Sequence, residues 1–220
     1  MNALDIIASI DSLYDRYQTP LNVRRHMRLV AAVAEYLCSA TGGAADTESI
    51  VAACLIHDLG NYVKMDFEDP AKVAFLDCVD QENLPRLRHT QKEFRVRYGM
   101  NDAIANERII AEIGVPERIT YLFAHKELTL GPESLWKNDL GLQIFFYADL
   151  RVAPHGVAPL EERLLEFQKR HAMDKDSQSL LRSRHFIVFA KAFEQQLFAR
   201  LKMKPAGITN DSVQEYFLKY

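Results

Sequence analysis

The apolar residues along the chain recur at helical rather than strand spacing. The pattern predicts a first helix over residues 4–17 and a second over residues 20–40, with Thr19 as its N-cap. A third helix is predicted over residues 46–59, ended by Gly60 in the left-handed conformation that terminates many helices. The first quarter of the chain is therefore predicted to be helical throughout.

The rest of the chain continues this pattern after one irregular stretch. Residues 61–100 predict one or two short helices within a long excursion. Further helices are predicted over residues 102–113, from Pro116, from Asn138 or Asp139 to Val152, over residues 159–171 and 177–203, and from Asn210. The predicted fold class is all-α, a compact multi-helix bundle.

Length and composition support one ordinary globular domain over residues 1–220. The chain is 48% hydrophobic and 26% charged, which is typical of soluble proteins and argues against disordered, fibrous and membrane classes. Its formal charge of -3 provides no general attraction for long nucleic acids or anionic membranes, so neither is an expected partner. The length suffices for a full hydrophobic core.

The cysteines and the N-terminus predict a cytoplasmic protein. Three cysteines, Cys38, Cys54 and Cys78, are an odd number without metal-type spacing, and the first two fall on apolar helical faces. The N-terminal residues lack a signal-peptide pattern, and no segment approaches the about 18 apolar residues of a membrane span.

Four polar residues fall on apolar faces of three separate predicted helices. These residues are His26, the adjacent pair His57 and Asp58, and Asp149. Their apolar neighbours at helical spacing are Val30, Val33 and Leu37 for His26, Ile50 and Cys54 for the pair, and Leu142, Phe145 and Phe146 for Asp149. All four side chains are therefore expected to point toward the core.

Buried carboxylates require a cation or hydrogen-bond donors nearby, because burying an uncompensated charge costs several kcal/mol. Two imidazoles and two carboxylates suit a divalent ion such as Mn, Fe, Co, Ni or Zn. Each residue also has a structural interpretation: a histidine satisfied within the core, Asp58 at a helix end, or Asp149 paired with Arg151. Their joint occurrence on three apolar faces favours a metal site.

The local sequences around these residues resemble the HD-domain superfamily of metal-dependent phosphohydrolases. Family ligands are a first histidine, a His-Asp pair and a distal aspartate, and this chain has them in order within VRRHMRLVA, CLIHDLG and YADLRV. The resemblance covers about residues 21–170, which would form the domain core. It implies that His26, His57, Asp58 and Asp149 bind one divalent ion, with Mn, Fe, Co, Ni, Zn and Mg all open.

The resemblance also implies hydrolysis of a small phosphorylated substrate, such as a nucleotide, by metal-activated water. Asp58, Asn61 and His125 are the catalytic candidates. Asn61 stands where some nucleotidase members carry a catalytic glutamate; its amide can orient water but cannot take the proton, so Glu107 is an alternative acceptor. The extra histidine of binuclear members is absent from residues 101–107, which favours a single metal ion and makes His125 a residue that supports the site or faces the substrate.

Basic residues supply the candidate substrate contacts. The stretch from Arg86 to Arg97 is opposed only by Glu93, and an anionic phosphate would be attracted there, although a solvated helical face explains it equally well. The predicted substrate contacts are Lys64, Arg88, His89, Lys92, Lys126 and Arg151. Arg151 has an alternative role in pairing helices, and the lysines an alternative as surface residues.

Two further hypotheses remain open on the sequence. Asn61 is compatible with a non-catalytic nucleotide-binding or signalling module whose metal site is structural or vestigial. Some relatives use an iron pair for oxygen-dependent chemistry, but the missing extra histidine argues against that here. The sequence does not distinguish a monomer from a homodimer.

Overall fold

The structure, a computed structural model, describes residues 1–125, 139–171 and 177–220, without the side chains at positions 167, 168, 170, 171 and 177–185. The helices in chain order are α1 (Ala3–Ala8), α2 (Ile10–Arg16), α3 (Leu21–Ser39), α4 (Thr47–Ile56), α5 (Pro70–Val73), α6 (Cys78–Glu82), α7 (Leu84–Tyr98), α8 (Asp102–Ile113), α9 (Glu117–Ala124), α10 (Leu140–Leu150), α11 (Leu160–His171), α12 (Ser177–Arg200) and α13 (Asn210–Phe217). Two 3-10 helices cover Leu59–Lys64 and Pro205–Gly207. Two two-residue strands, β1 (Val152–Ala153) and β2 (Gly156–Val157), pair antiparallel. The all-α prediction is confirmed.

Helices α3 and α4 form the centre of the bundle. They pack against each other, and α10 packs against both. Helices α1 and α9 cover α4, while α13 covers α3. Every residue from Ser49 to His57 is buried, so α4 is enclosed on all sides rather than amphipathic. The three helices that carry the predicted metal ligands are therefore direct neighbours.

The first predicted helix is interrupted once. Ser9 separates α1 from α2, and its hydroxyl donates a hydrogen bond to the carbonyl of Asp5 at 2.6 Å. A serine hydroxyl that competes for backbone groups in this way disfavours continuation of a helix. Residues 4–17 are thus two short helices instead of one.

The predicted role of Gly60 was wrong. The helix before it ends at Ile56, and Gly60 lies in the 3-10 helix Leu59–Lys64 without a positive φ angle. Its function is close packing: its N–H donates to the Asn106 side-chain oxygen at 2.7 Å, and a Cβ on Gly60 would lie 2.5 Å from the Asn106 backbone nitrogen. Only glycine lets α8 approach this turn so closely.

Replacing Gly60 by alanine is expected to push α8 away and destabilise the protein. Overpacking against backbone costs about 1–3 kcal/mol, which for a chain of this size corresponds to a loss of roughly 2–12 °C in Tm. Thermal unfolding checks this value. Gly207→Ala is the matched control, because its nearest atom, the Tyr36 hydroxyl oxygen, lies 3.7 Å from the added Cβ. Equal Tm values for the two variants would contradict the prediction.

The excursion between α4 and α8 is more helical than predicted. It contains α5, α6 and the long α7 as well as the 3-10 helix. The Gln91 side chain in α7 donates to the carbonyls of Tyr62 at 2.9 Å and Met65 at 2.6 Å, which ties α7 to the 3-10 helix. The excursion is thus fixed to the turn that follows the His57-Asp58 pair.

The excursion also caps α3. Pro20 stands at the N-cap position of α3 and makes no side-chain capping hydrogen bond. The buried Asp80 of α6 takes over this role, because its carboxylate accepts a hydrogen bond from the Leu21 backbone N–H at 2.6 Å. The first turn of α3 is therefore capped by a side chain that lies 59 positions later in the chain.

Helix α10 begins at a strong ion pair. Asp139 accepts a capping hydrogen bond from the Leu142 N–H at 2.9 Å, as predicted, and two hydrogen bonds from the Arg118 guanidinium at 2.6 and 2.7 Å. The bonds from Arg118 hold the pKa of the Asp139 carboxyl below its ordinary value. This cap joins the start of α10 to α9.

The three cysteines are not disulfide-bonded. Cys38 and Cys54 are buried as predicted, and Cys78 is exposed. Burial raises the pKa of the Cys38 thiol to about 12, which leaves it protonated and unreactive at neutral pH. Among the described helices, none combines the length and the apolarity needed to cross a membrane.

Candidate metal centre

Four side chains from α3, α4 and α10 meet at one point near the surface end of the core. His26 comes from the second turn of α3, and His57 stands at the C-cap of α4. Asp58 follows directly, and Asp149 lies in the last turn of α10. His57 is buried, whereas the other three side chains are partly exposed. The cluster thus has a buried floor and an accessible side.

The ligand atoms of the cluster lie close together. His26 Nε2 is 3.2 Å from Asp149 Oδ1 and 3.8 Å from Asp58 Oδ2. His57 Nε2 is 3.5 Å from Asp58 Oδ2 and 3.6 Å from Asp149 Oδ1. The ligand atoms of His26, His57 and Asp58 all fall within 4.8 Å of one another. His26, His57 and Asp58 therefore form a group close enough to hold a metal ion, and Asp149 Oδ1 lies beside both histidine nitrogen atoms.

The tautomer of His57 is set by the end of its own helix. Its Nδ1 lies 2.7 Å from the Cys54 carbonyl oxygen, so Nδ1 carries the proton and donates a hydrogen bond to that oxygen. This leaves Nε2 with its lone pair directed at the cluster. A histidine that donates its other ring N–H to a carbonyl is the usual arrangement of a metal ligand.

His57 Nε2 is also a buried polar atom without a hydrogen bond. Within the described part of the chain, it has no hydrogen-bond partner. An unsatisfied buried acceptor costs about 1–3 kcal/mol. A divalent cation would satisfy this atom and offset the two carboxylates that lie beside it. The residues present therefore fit a divalent metal ion, and the mixed nitrogen and oxygen donors suit a borderline ion.

The cluster opens into a large cavity of about 1420 Å³. Its walls come from the first turns of α3, the segment between α5 and α6, helices α8, α9 and α11, and the β1–β2 hairpin. Of the predicted site residues outside the cluster, Asn61 and Lys64 line this cavity. Glu107 lines it as well, and Lys64 forms an ion pair with Asp102.

The basic stretch on α7 does not reach this cavity. Arg88 bonds to the Phe67 carbonyl at 2.9 Å and to Glu68 at 2.9 Å. His89 is exposed and pairs with Glu93, while Lys92 is exposed. None of the three borders the cavity. Their placement favours the alternative of a solvated helical face.

Arg151 lies inside the protein rather than at the cavity. It is 2% exposed. Its guanidinium donates to the carbonyls of Ala158 at 2.6 Å, Pro205 at 3.1 Å and Ile208 at 3.0 Å, and to the Tyr147 hydroxyl at 2.9 Å. These bonds join α10 to the hairpin and to the segment before α13, which favours the helix-pairing alternative.

The other two predicted residues lie at or beyond the end of α9. His125 Nδ1 is 2.8 Å from the Tyr121 carbonyl oxygen, and its ring stacks on the Tyr121 ring at 4.2 Å. His125 does not border the cavity, although its neighbour Ala124 does. Lys126 lies outside the described residues.

Arg25 is a cavity residue that the sequence reasoning missed. It is exposed and lines the cavity beside His26. The preceding Arg24 is used elsewhere, since it bonds to Asp15 at 2.7 Å and to the Thr19 carbonyl at 2.7 Å. Successive residues of a helix point about 100° apart. The sequence signal that could have identified Arg25 was its position directly before His26.

The comparison with protein families agrees with this geometry. The family model of the HD domain matches residues 23–112. The matched region contains His26, His57 and Asp58 and extends through most of α8, while Asp149 lies beyond it. No curated protein and no solved structure matches the chain. Residues 23–112 are therefore identified as an HD domain, as the resemblance predicted.

Proposed function

We propose that this chain is an active phosphohydrolase that releases phosphate from a small phosphorylated molecule, such as a nucleotide. The observation that carries the proposal is the cluster of His26, His57, Asp58 and Asp149 at the floor of a cavity of about 1420 Å³. A cavity of this size accepts a small organic molecule together with its phosphate.

The four cluster residues would hold one divalent ion. When bound, such an ion supplies Lewis-acid chemistry, because it lowers the pKa of water and offsets negative charge on phosphoryl oxygens. The hydrogen bond from His57 to the Cys54 carbonyl fixes the ring orientation before any ligand arrives. Asp58 and Asp149 supply the negative charge that retains a cation at this position.

Proton transfer requires a base, and two cavity residues divide the task. The Asn61 amide lines the cavity and can orient a water molecule by accepting one hydrogen bond and donating another, but it cannot take a proton. Glu107 lines the same cavity and carries a carboxylate. We assign water orientation to Asn61 and proton acceptance to Glu107.

Arg25 and Lys64 are the proposed contacts for the phosphate group. Both line the cavity that contains the cluster. Arg25 offers a planar set of donors that matches phosphate oxygens. Lys64 is held by Asp102, so its ammonium group would be shared between this carboxylate and the substrate.

Elemental analysis and phosphate release test the proposal together. We expect about one divalent ion per chain in protein purified without chelators or metal-affinity tags, as for a single cluster of this kind. Phosphate release is then measured on a nucleotide panel with Mn, Co, Mg, Ni and Zn added back. An absence of metal under every loading condition would overturn the proposal.

A second candidate is a non-catalytic module that binds a phosphorylated ligand. It is supported by the presence of an amide at Asn61, where a carboxylate would be the stronger base. Calorimetry with the metal-loaded protein distinguishes the two. Saturable binding of a nucleotide without phosphate release under any metal would favour the module.

A further inference from the structure

Three large apolar side chains are exposed around the mouth of the cavity. Phe75 follows α5 and is 69% exposed, Ile104 in α8 is 45% exposed, and Leu21 at the start of α3 is 38% exposed. All three line the cavity, although they come from separate elements. Single exposed apolar residues are common on proteins, but three that converge on one opening mark a surface that binds an apolar group.

Most basic groups of the cavity are already paired. Lys64 pairs with Asp102, and Arg163 pairs with Glu166. The carboxylates that line the cavity are Asp58, Asp77, Asp102, Glu107, Asp149 and Glu166, whereas the lysines and arginines are Arg25, Lys64 and Arg163. Arg25 is the one among these three cations for which the described residues supply no ion pair.

This charge balance limits the ligand. With one divalent ion, the six carboxylates and three basic side chains among the described lining residues give a net charge of about -1. A single phosphate group can use the ion and Arg25. A triphosphate carries additional negative charge for which the described lining residues offer no further unpaired cation, so like-charge repulsion disfavours it.

We infer that the ligand is a phosphate monoester of a bulky ring, with the ring against Phe75 and Ile104 and the phosphate between Arg25 and the His26–Asp149 cluster. The inference rests on the proposed function, because it assumes that the cluster binds a phosphate group. Beyond the proposed function, it specifies the chemical class of the group esterified to the phosphate and limits the substrate to one phosphate. Phe75 is then a specificity-determining residue and Arg25 a phosphate-binding residue.

Two hydrolysis-resistant probes test the ring contact by calorimetry on the metal-loaded full chain. Phenylphosphonate is expected to bind roughly tenfold tighter than methylphosphonate, since an aromatic contact adds apolar burial to the same anionic group. Phe75→Ala should remove most of this preference, and Phe75→Tyr should keep it. Val96→Ala is the matched control, because Val96 is exposed but does not line the cavity. Equal binding of both probes to the natural protein, or no binding of either, would overturn the inference.

The phosphate contact has its own variant. Arg25→Ala should weaken both phosphonates by a similar factor of roughly ten, because a charge-assisted hydrogen bond to the shared group is lost. Lys202→Ala, an exposed cation outside the cavity, should leave both affinities unchanged. A loss confined to phenylphosphonate in Arg25→Ala would contradict the assigned position of the phosphate.

Turnover separates this inference from the proposed function. Naphthyl phosphate and a nucleoside monophosphate should both exceed glycerol phosphate in kcat/KM, and the better of the two identifies the ring as aryl or nucleobase. The corresponding nucleoside triphosphate should be the poorer substrate. Phosphate release without these preferences would overturn the inference and leave the hydrolase in place. A phenylphosphonate preference without any turnover would support the subsite and overturn the hydrolase.

Discussion

Asp58→Ala is expected to lose both bound metal and phosphate release. Asp58 Oδ2 lies within 3.8 Å of both histidine Nε2 atoms, so its removal takes away one ligand and one negative charge. Metal content should fall from about one ion per chain to background, and turnover by roughly three orders of magnitude or more. Elemental analysis and phosphate release measure the two effects. Full activity in this variant would refute the assignment of Asp58.

The stability of the same variant provides an independent readout. In chelator, Asp58→Ala should be at least as stable as the natural protein, because one of two neighbouring carboxylates is gone. Added metal should raise the Tm of the natural protein and leave that of the variant unchanged, since only a folded site binds the ion. Asp211→Ala removes an exposed carboxylate from α13 and should behave as the natural protein does.

Arg151→Met is expected to produce the largest loss of stability. Methionine fills part of the space but leaves the buried carbonyls of Ala158 and Ile208, the half-buried carbonyl of Pro205 and the Tyr147 hydroxyl without the Arg151 donor. Breaking a buried charged network in this way costs about 3–5 kcal/mol, equivalent to roughly 6–20 °C in Tm for a chain of this size. Urea and thermal unfolding measure the change.

Kinetics decide between the two interpretations of Arg151. If it only joins helices, the folded fraction of Arg151→Met should retain an unchanged KM. Arg151→Lys should recover part of the stability, because an ammonium group can reach some of the same carbonyls. A variant of normal stability with a KM raised at least about tenfold would identify a substrate contact instead.

Much of the fold could be predicted from the chain because its helices carry their own end signals. Asp46 and Asp139 cap α4 and α10 as predicted, and Gly114 ends α8 with a φ of 70°. The role of Gly60 was predicted wrongly because glycine is required there by a tertiary contact and not by the local backbone conformation. The atom that excludes a side chain there belongs to Asn106, which lies 46 residues further on.

The proximity of the histidine and aspartate side chains was predictable for a different reason. His26, His57 and Asp149 each interrupt an apolar pattern, and burial of polar groups requires compensation wherever they meet. In α4 the apolar pattern carries the least information about His57, because that helix is buried on every side and any residue near its end would be enclosed. The order of the ligands along the chain supplied the additional information.

The substrate contacts were the least predictable part. The density of basic residues along α7 indicates positive charge but not the direction in which each side chain points. Arg88 and Arg95 turn back to the carbonyls of Phe67 and Val63, at 2.9 Å each, while Arg25 lines the cavity. Helix packing decides which basic side chain can contact a ligand. The periodicity of residues within one segment does not contain this information.

The capping of α3 by Asp80 limits how this protein can be redesigned. The cavity wall that contains Phe75 and the helix that contains His26 share the hydrogen bond between Asp80 and Leu21. Transplanting another loop between the 3-10 helix and α7 to change ligand preference would leave the Leu21 amide without an acceptor. A successful graft must therefore carry its own carboxylate for this amide, or it will loosen the helix that presents His26, the first proposed metal ligand.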